Sequence, residues 1–315
     1  MKPSIAITMG DPCGVGPEII LKAVADRRVL RIARPVVIGD AALLERLALK
    51  LRLTPPADGV VCNHSNLATG ALRPSSPTKA TGSAMISYIE EGVRMAKSGT
   101  AAAIVTAPIS KEAAKKAGFA FPGHTEFIAH LTGTKKFRMM LGGDSLKVIL
   151  VTIHEAISKV PGLITKAGVY DTIKITDAAF SGRFGLKRPR IAVAGLNPHA
   201  GEGGMFGTEE IKIIAPAIKK AQNEGIDVTG PLPPDTVFYR AVRKSEFDCV
   251  VCMYHDQGLG PLKLLHFEDG VNATLGLPIV RTSVDHGTAY DIAWKGIASH
   301  ESLVAAIKMA VEMAA

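Results

Sequence analysis

Short apolar runs constrain the fold of this chain more than any other feature. They predict buried strands at Ile5–Met9, Val36–Gly39, Ala102–Ala107, Leu146–His154, Ile191–Leu196 and Cys249–Tyr254. Apolar runs that lack a period of two are typical of parallel strands covered on both faces. Strands of an open antiparallel sheet would alternate between apolar and polar residues, so the runs favour a parallel sheet.

Helical patterns lie between the apolar runs. They predict helices over Pro17–Val29, Ala41–Leu51, Ala80–Ser98, Thr208–Glu224 and Ser302–Met313. Pro17 suits a first helical turn, because the N–H that proline lacks would be unpaired there. Strand and helix alternate along the chain, which predicts an α/β fold. A length of 315 residues fits two domains or one large α/β unit.

Charge and composition narrow the class of partner. The net charge of +8 favours anionic ligands. The basic residues form no tail and are not interleaved with aromatic residues, so a small anionic substrate is favoured over nucleic acid. No apolar run reaches the roughly 18 residues of a membrane span. A signal-peptide pattern is absent, and four cysteines are too few for a disulfide scaffold. We therefore expect a cytoplasmic protein without a membrane contact.

Three histidines follow predicted strands. His154, His199 and His255 come at the ends of the runs that begin at Leu146, Ile191 and Cys249. Ligands bind at the carboxyl ends of the strands in open α/β sheets. Three imidazoles with an open position suit a catalytic transition metal. The alternative is that each histidine makes only a local hydrogen bond at a strand end.

Further polar residues are candidates with an ordinary alternative. Asp235 and Asp256 could orient a ligand or act as a general base, or could simply cap a turn. Cys249 and Cys252 form a C-x-x-C pattern inside a predicted strand, which indicates core residues rather than a metal or redox site.

Three segments could bind an anion. Gly10–Glu18 is a glycine-rich turn between a strand and a helix, although it is neither a dinucleotide fingerprint nor a Walker motif. Gly123 to Thr125 resembles a helix start that Thr125 could cap. Lys263, Asn272 and Arg281 lie beyond His255, and an arginine suits carboxylate or phosphate recognition. Each also has an ordinary interpretation. Gly10–Glu18 could be only a tight turn, Thr125 could be only a helix cap, and Lys263, Asn272 and Arg281 could be ordinary surface residues.

These motifs in combination resemble a known family. The segments that carry the resemblance are Thr8–Glu18, Thr106–Ile109, Gly123–Glu126, Asn197–Glu202, Tyr254–Gly258 and Asp285–Ala289. In this order, over nearly the whole chain, they resemble the 4-hydroxythreonine-4-phosphate dehydrogenase family of vitamin B6 biosynthesis.

The resemblance implies an architecture and a set of ligands. It implies the isocitrate/isopropylmalate dehydrogenase-like fold, with two α/β domains and a cleft between them. Residues 1–123 with 268–315 would carry the nucleotide-binding loop, and residues 124–267 would carry the metal ligands and the dimer interface. His154, His199 and His255 would bind a divalent metal (zinc, or magnesium, manganese or cobalt). The substrate contacts would be His124, Thr125, Lys263, Asn272 and Arg281. The active site would lie at the interface of a homodimer.

The resemblance also implies a cofactor site. The segment His286–Gly296 is similar to the adenosine-binding loop of isopropylmalate dehydrogenases. His286, Gly287, Thr288 and Asp291 would contact the nucleotide, with Asp291 accepting from the ribose hydroxyls. A carboxylate at this position repels the 2′-phosphate of NADP, so we expect NAD as the preferred cofactor and NADP as a possible one.

The implied reaction oxidises and decarboxylates 4-phosphooxy-L-threonine to 3-amino-2-oxopropyl phosphate. Asp235, Asp256 and Lys263 are the candidates for the general base. Relatives with the same motifs act on D-threonate or D-erythronate 4-phosphate, and another relative oxidises a cyclic dihydrodiol carboxylate. A phosphate acyltransferase would need neither the histidines nor the adenosine loop. A metabolite sensor need not keep the metal ligands and the substrate contacts.

The cofactor expectation can be tested at Asp291. In an Asp291→Ala variant the ratio of NAD to NADP turnover should fall, because the carboxylate no longer repels the 2′-phosphate. The measurement is kcat/KM for each nucleotide. An unchanged ratio would contradict a role for Asp291 in cofactor choice.

Overall fold

The computed structural model describes residues 1–64 and 67–315. Its strands are β1 Ser4–Thr8, β2 Arg34–Gly39, β3 Val61–Asn63, β4 Ala103–Thr106, β5 Arg138–Gly142, β6 Lys147–Leu150, β7 Ile191–Ala194, β8 Val228–Leu232, β9 Cys249–Cys252, β10 Val271–Leu275 and β11 Val280–Val284.

The helices separate most of these strands. They are α1 Gly16–Ala25, α2 Arg27–Ile32, α3 Ala41–Leu51, α4 Lys79–Lys97, α5 Lys111–Lys116, α6 His124–Leu131, α7 Val160–Leu163, α8 Lys166–Arg183, α9 Ala215–Asn223, α10 Pro234–Lys244, α11 His255–Leu265 and α12 Glu301–Met313. Short 3-10 segments cover Thr69–Ala71 and Ile157–Lys159, Pro198–Gly204 is a turn whose backbone is left-handed from residue 199 to 203, and Glu210–Ile214 forms one π-helical stretch. None of the helices within 1–64 and 67–315 is long and apolar enough to cross a membrane.

The chain divides into two compact units. The first comprises Met1–Lys135 with Leu277–Ala315, and the second comprises Lys136–Gly276. These bounds fall later in the chain than the predicted domain divisions after residues 123 and 267. Both units combine strands and helices, so the predicted α/β class is confirmed.

The first unit is built on parallel strands. Their order is β3-β2-β1-β4-β11, and every neighbouring pair is parallel. The residues of β4 and β11 are all buried, as expected for strands covered on both faces. Helix α4 packs on β1, β2 and β4, and α12 packs on β11 and β4.

Local signals place the helices of this unit. Pro17 lies in the first turn of α1, as the sequence predicts. Helix α3 begins where the Asp40 carboxylate accepts a hydrogen bond from the Leu43 N–H. Thr78 and Thr81 form a reciprocal capping box at the start of α4.

The second unit has a mixed sheet in the order β10-β5-β6-β9-β7-β8. The β10/β5 and β5/β6 pairs are antiparallel, and the remaining pairs are parallel. Its core includes Val148, Leu150, Val250 and Cys252, against which the apolar face of α10 packs through Val237. Burial raises the pKa of the Cys249 and Cys252 thiols. Both are free and buried, which confirms them as core residues.

The structure corrects several predicted bounds. The strand predicted over Leu146–His154 ends at Leu150. The helix predicted over Thr208–Glu224 is a π-helical stretch followed by α9. Strands β3, β5, β8, β10 and β11 were missed. In β11 the reason is visible, because Arg281, Thr282 and Ser283 are polar by type and nevertheless buried. Burial of polar side chains hides a strand from a search for apolar runs.

Two helical glycines allow a test of packing in the first unit. A Cβ added at Gly82 in α4 would lie 2.1 Å from the Ala113 carbonyl oxygen, which is backbone and has little room to move. Gly82→Ala should therefore lower the free energy of unfolding by about 1–3 kcal/mol. Gly182→Ala in α8 is the control, since no neighbour lies within 4 Å of its added Cβ. The control should be neutral or stabilising by about 0.5–1 kcal/mol. Urea unfolding followed by circular dichroism measures both, and equal effects would refute the packing account.

Candidate active site

Two of the three predicted metal ligands are neighbours in the second unit. The rings of His154 and His255 have centroids 5.5 Å apart. Strands β6 and β9 are parallel and in register from Val148 and Val250 to Leu150 and Cys252, so the segments that follow them emerge side by side. His154 comes after β6, and His255 is the first residue of α11. The sequence prediction that strand ends bring these two residues together is consistent with this placement.

Hydrogen bonds hold the strand ends in place. The Thr152 N–H and hydroxyl both donate to the Met253 carbonyl, the hydroxyl at 2.7 Å. The buried Gln257 side chain accepts from the Met253 N–H at 2.6 Å and donates to the Gly195 carbonyl at 2.6 Å. Gln257 therefore joins the segment that follows β9 to the one that follows β7.

The third histidine lies on a strained loop. His199 follows β7 in a run where every residue from 199 to 203 has a positive φ. Glycine tolerates this conformation, but His199 (φ 51°), Ala200 (φ 53°) and Glu202 (φ 42°) do not adopt it freely. Such strain costs on the order of 1–3 kcal/mol per residue and persists only where surrounding contacts enforce it, often at functional sites.

A buried carboxylate supplies those contacts. Glu210 is 2% exposed. Its Oε1 accepts from the N–H groups of Leu196 and Asn197, both at 2.8 Å, and its Oε2 accepts from the Asn197 side chain at 3.0 Å. Glu210 thus fixes the chain directly before His199. Sequence reasoning missed this residue, because a lone glutamate in a helical pattern resembles an exposed side chain.

The two candidate aspartates make different contacts. The His255 Nδ1 lies 2.6 Å from an Asp256 oxygen, so a carboxylate there fixes the hydrogen on Nδ1 and leaves Nε2 to accept. Asp235, in the first turn of α10, has an oxygen 3.7 Å from the His199 Nδ1. That separation is too long for a hydrogen bond.

The donor chemistry of the three histidines fits a divalent metal, but the geometry within one chain is incomplete. Among residues 1–64 and 67–315, no group of three His, Cys, Asp or Glu side chains converges closely enough to hold an ion. His154 and His255 supply adjacent imidazoles, whereas His199 faces Asp235. His154 and His255 could therefore act as a pair of donors to a divalent metal, and His199 lies on a separate loop.

Candidate substrate residues of the first unit form a buried cationic site. Arg281, in β11, is 2% exposed and donates to the Thr106 hydroxyl at 2.9 Å. Burial lowers the pKa of Arg281 to about 10, while the charge of Glu126 opposes this shift. Burial, aided by the charges of Arg281 and Lys111, holds the pKa of His124 well below its usual value. At neutral pH the site therefore presents a charged guanidinium beside a neutral imidazole.

This arrangement favours an anionic ligand. The guanidinium has lost most of its contact with water, so a carboxylate or phosphate would stabilise it. The His124 Nε2 is buried without a hydrogen-bond partner in the part of the chain that the structure describes. A ligand oxygen could satisfy this atom.

The remaining substrate candidates are Thr125, Lys263 and Asn272. Helix α6 begins after Gly123, so the suggestion that Thr125 caps it is wrong, and Thr125 is buried in the first turn. In the second unit, Lys263 lies in the last turn of α11 with its Nζ 5.5 Å from the centre of the Phe267 ring. Asn272 lies in β10 opposite Leu141.

The candidate nucleotide loop follows β11. His286 and Asp291 are exposed, and the His286 Nδ1 lies 2.9 Å from the Gly287 carbonyl. The Thr288 carbonyl accepts from the Val15 N–H at 3.0 Å, and a Cβ on Gly14 would lie 3.0 Å from the same oxygen. The glycine-rich turn before α1 therefore packs against this loop, and at least its Val15 amide is not available to an anion.

Comparisons with known proteins agree with this architecture. Residues 31–310 match the family model described as pyridoxal phosphate biosynthetic protein PdxA. The 4-hydroxythreonine-4-phosphate dehydrogenase of Desulforapulum autotrophicum is 52% identical, over 98% of this chain and 95% of that protein. A putative D-threonate 4-phosphate dehydrogenase of Oceanobacillus iheyensis is 45% identical, over 99% of this chain and 98% of its own length.

A solved structure extends the likeness to three dimensions. The crystal structure of 4-hydroxythreonine-4-phosphate dehydrogenase from Klebsiella pneumoniae is similar with a TM-score of 0.92 and 43% identity. The match covers 100% of this chain and 98% of that one. The chain is thus similar to these proteins over its whole length.

The role of Glu210 can be tested against its neighbour. Glu210→Ala leaves the partly buried N–H groups of Leu196 and Asn197 without their acceptor, so the strained loop should relax, and the affinity for a metal bound through His199 should fall by about 10–100-fold. Glu209→Ala is the matched control, because Glu209 accepts from the Asn197 side chain at 2.8 Å, whereas the backbone N–H groups of Leu196 and Asn197 donate to Glu210. Metal content after equilibrium dialysis is the measurement. Equal losses in the two variants would contradict a specific role for Glu210.

Proposed function

The chain belongs to the pyridoxal phosphate biosynthetic protein PdxA family, and we propose that it oxidises and decarboxylates 4-phosphooxy-L-threonine with a nicotinamide nucleotide. The observation that carries this proposal is the near full-length similarity to curated relatives of that activity. The buried guanidinium of Arg281 supports it, because the substrate is anionic at both ends.

The proposed reaction moves two electrons and then releases CO₂. A bound nicotinamide nucleotide would supply the oxidant that accepts the C3 hydride of the substrate, and a base of the chain would accept the hydroxyl proton. The resulting β-keto acid loses its carboxylate as CO₂, and the enolate that remains is protonated. The product is 3-amino-2-oxopropyl phosphate. An oxidation of this kind needs a base near the hydroxyl and a positive charge near the oxygen where negative charge develops.

We assign substrate binding to two sets of residues. In the first unit, Arg281 pairs with an anionic group of the substrate, and His124 and Thr125 contact the same end. Lys263, in α11, and Asn272, in β10, are the other substrate contacts that the family resemblance implies. Because the His124 imidazole is held neutral by burial and neighbouring cations, it donates or accepts a hydrogen bond without adding charge.

We assign His154, His199 and His255 as ligands of one divalent metal, zinc or else magnesium, manganese or cobalt. When bound, such an ion lowers the pKa of the substrate hydroxyl and stabilises the enolate oxygen. Asp256 holds the His255 ring by its Nδ1 and so directs Nε2 outward. Metal ligands that do not converge within one chain would come from a second chain. A homodimer with its active sites at the subunit interface is therefore part of the proposal.

The general base is assigned among Asp235, Asp256 and Lys263. Asp256 already bonds to His255, so its hydrogen-bonding capacity is partly committed. Asp235 lies in the first turn of α10 near His199. We therefore favour Asp235 or Lys263 for proton transfer.

Asp291 remains the proposed ribose contact of NAD, together with His286, Gly287 and Thr288 of the same loop. A cytoplasmic location remains a prediction.

A second candidate substrate is D-threonate 4-phosphate. It is favoured by the 45% identity to a putative D-threonate 4-phosphate dehydrogenase. The two substrates differ at one position, where a hydroxyl replaces an amine. D-erythronate 4-phosphate belongs to the same class.

Turnover with purified substrates decides between these candidates. NADH formation should be fastest with 4-phosphooxy-L-threonine and should stop after chelation of the metal. The same assay with D-threonate and D-erythronate 4-phosphate is the comparison. A higher kcat/KM with either sugar acid would overturn the proposed substrate, and turnover with none of the three would overturn the proposed activity.

The metal assignment is tested at His199. His199→Ala should lower metal content and turnover in parallel, because one donor is lost while the rest of the fold is unaffected. His64→Ala in the first unit is a control for the loss of a histidine elsewhere. Metal analysis and NADH formation are measured on the same preparation. Full activity in a metal-free His199→Ala protein would refute the metal role.

A further inference from the structure

The candidate nucleotide loop, residues 286–298, holds an unfavourable backbone conformation. Ala289 (φ 42°) and Trp294 (φ 59°) both lie in the left-handed region, as does Gly296. Non-glycine residues occupy this region only where neighbouring groups hold them there. The loop has no helix or strand of its own to supply such contacts. Its conformation therefore depends on contacts with neighbouring parts of the first unit.

One group that contacts the loop is an ion pair on α1. Glu18 and Lys22 lie one helical turn apart, with 2.9 Å between the Lys22 Nζ and Glu18 Oε1. The Glu18 side chain is 0% exposed and that of Lys22 is 16% exposed. A buried pair of this kind is stable only when further hydrogen bonds satisfy its remaining donors and acceptors.

The loop supplies those hydrogen bonds. Glu18 accepts from the N–H groups of Gly296, at 3.0 Å, and Ala298, at 2.8 Å. Lys22 donates to the carbonyl oxygens of the same two residues, at 3.0 Å and 2.6 Å. The ion pair thus binds both the donors and the acceptors at the end of the loop.

Further contacts hold the middle of the loop. The Tyr290 hydroxyl donates to the buried Asp11 carboxylate, and the Trp294 Nε1 donates to the Pro12 carbonyl at 3.1 Å. Between these two residues lies the exposed Asp291. Asp291 is therefore presented from a short segment whose two ends are fixed.

We propose that Glu18 and Lys22 are positioning residues for nicotinamide nucleotide binding, acting through the backbone of residues 296–298. This inference rests on the proposed function, since it takes the loop as the adenosine site. Neither side chain contacts the nucleotide. Both hold the loop in the form in which Asp291 meets the ribose, so that nucleotide binding need not order the loop.

Trp294 provides an intrinsic fluorescence probe of the loop conformation. Trp294 is the sole tryptophan of the sequence and is 2% exposed. Its ring is flanked by Arg46 and Lys50, at 5.4 Å and 5.5 Å from the ring centre. Release of the loop would expose the indole to water. Tryptophan emission therefore reports on the loop without any nucleotide or turnover.

The test removes both charges at once, by Glu18→Gln with Lys22→Met, so that no lone buried charge remains. The full-length double variant should show red-shifted Trp294 emission. Its Kd for NADH and its KM for NAD⁺ should rise at least about tenfold, while kcat at saturating NAD⁺ and the KM for the phosphorylated substrate change less than about threefold. Lys22→Arg keeps the cation and should recover most of the nucleotide affinity.

Gly82→Ala is the matched control for lost stability. It should destabilise the same unit through the Ala113 contact, outside the loop. Its Kd for NADH should equal that of the parent protein. An equal loss of affinity in this control would overturn the positioning role, because general destabilisation would then account for the effect.

Other results would also overturn the positioning role of Glu18 and Lys22. Unchanged emission and unchanged Kd in the double variant would overturn the inference. A red shift without a change in Kd would overturn it as well, and would show that the nucleotide does not use this loop. If the double variant does not fold, unchanged emission and Kd in both Lys22→Gln and Glu18→Gln would overturn it. Failure of the parent protein to bind any nicotinamide nucleotide would instead overturn the proposed function, independently of the emission result.

Discussion

Buried carboxylates that accept hydrogen bonds from loop backbone hold both candidate sites in place. Glu210 fixes the chain before His199 through two N–H groups, and Glu18 fixes the end of the nucleotide loop in the same way. A carboxylate offers several acceptor positions and bonds strongly to N–H groups. It can therefore satisfy irregular backbone that has no strand or helix partner. Without these two groups, backbone N–H groups that are buried or partly buried would lose their acceptors, next to residues whose positive φ is already unfavourable.

Burial leaves Arg281 charged and His124 neutral, so these two candidate substrate residues differ in what they can do. Arg281 keeps its charge although burial lowers its pKa to about 10, and its own charge helps to keep His124 neutral. The result is a site with one fixed cation and one neutral donor or acceptor. Such a site would favour an anionic group, and the proposed proton transfer is assigned to other residues. This division agrees with a substrate that carries anionic groups away from its reacting hydroxyl.

Part of the fold follows from pattern alone. Apolar runs locate β1, β2, β4, β6, β7 and β9 because those strands are covered on both faces. β11 escapes the same search, since its Arg281 and Thr282 are buried through hydrogen bonds rather than through apolar character. Helix α6 illustrates a local limit: Thr125 looked like a cap, yet Gly123 precedes the first turn. Cap chemistry depends on backbone geometry that a residue type does not specify.

The α/β class, the family and the residues that are candidates for chemistry follow from the sequence alone, because these depend on residue type and order. Which of the candidates are neighbours depends on how the chain folds in three dimensions. The tertiary structure pairs His154 with His255 because β6 and β9 run parallel and in register, and it leaves His199 facing Asp235 from a left-handed loop. It also revealed Glu18, Lys22 and Glu210. Their function lies in contacts with backbone groups distant in sequence, and backbone groups carry no signature in the order of side chains.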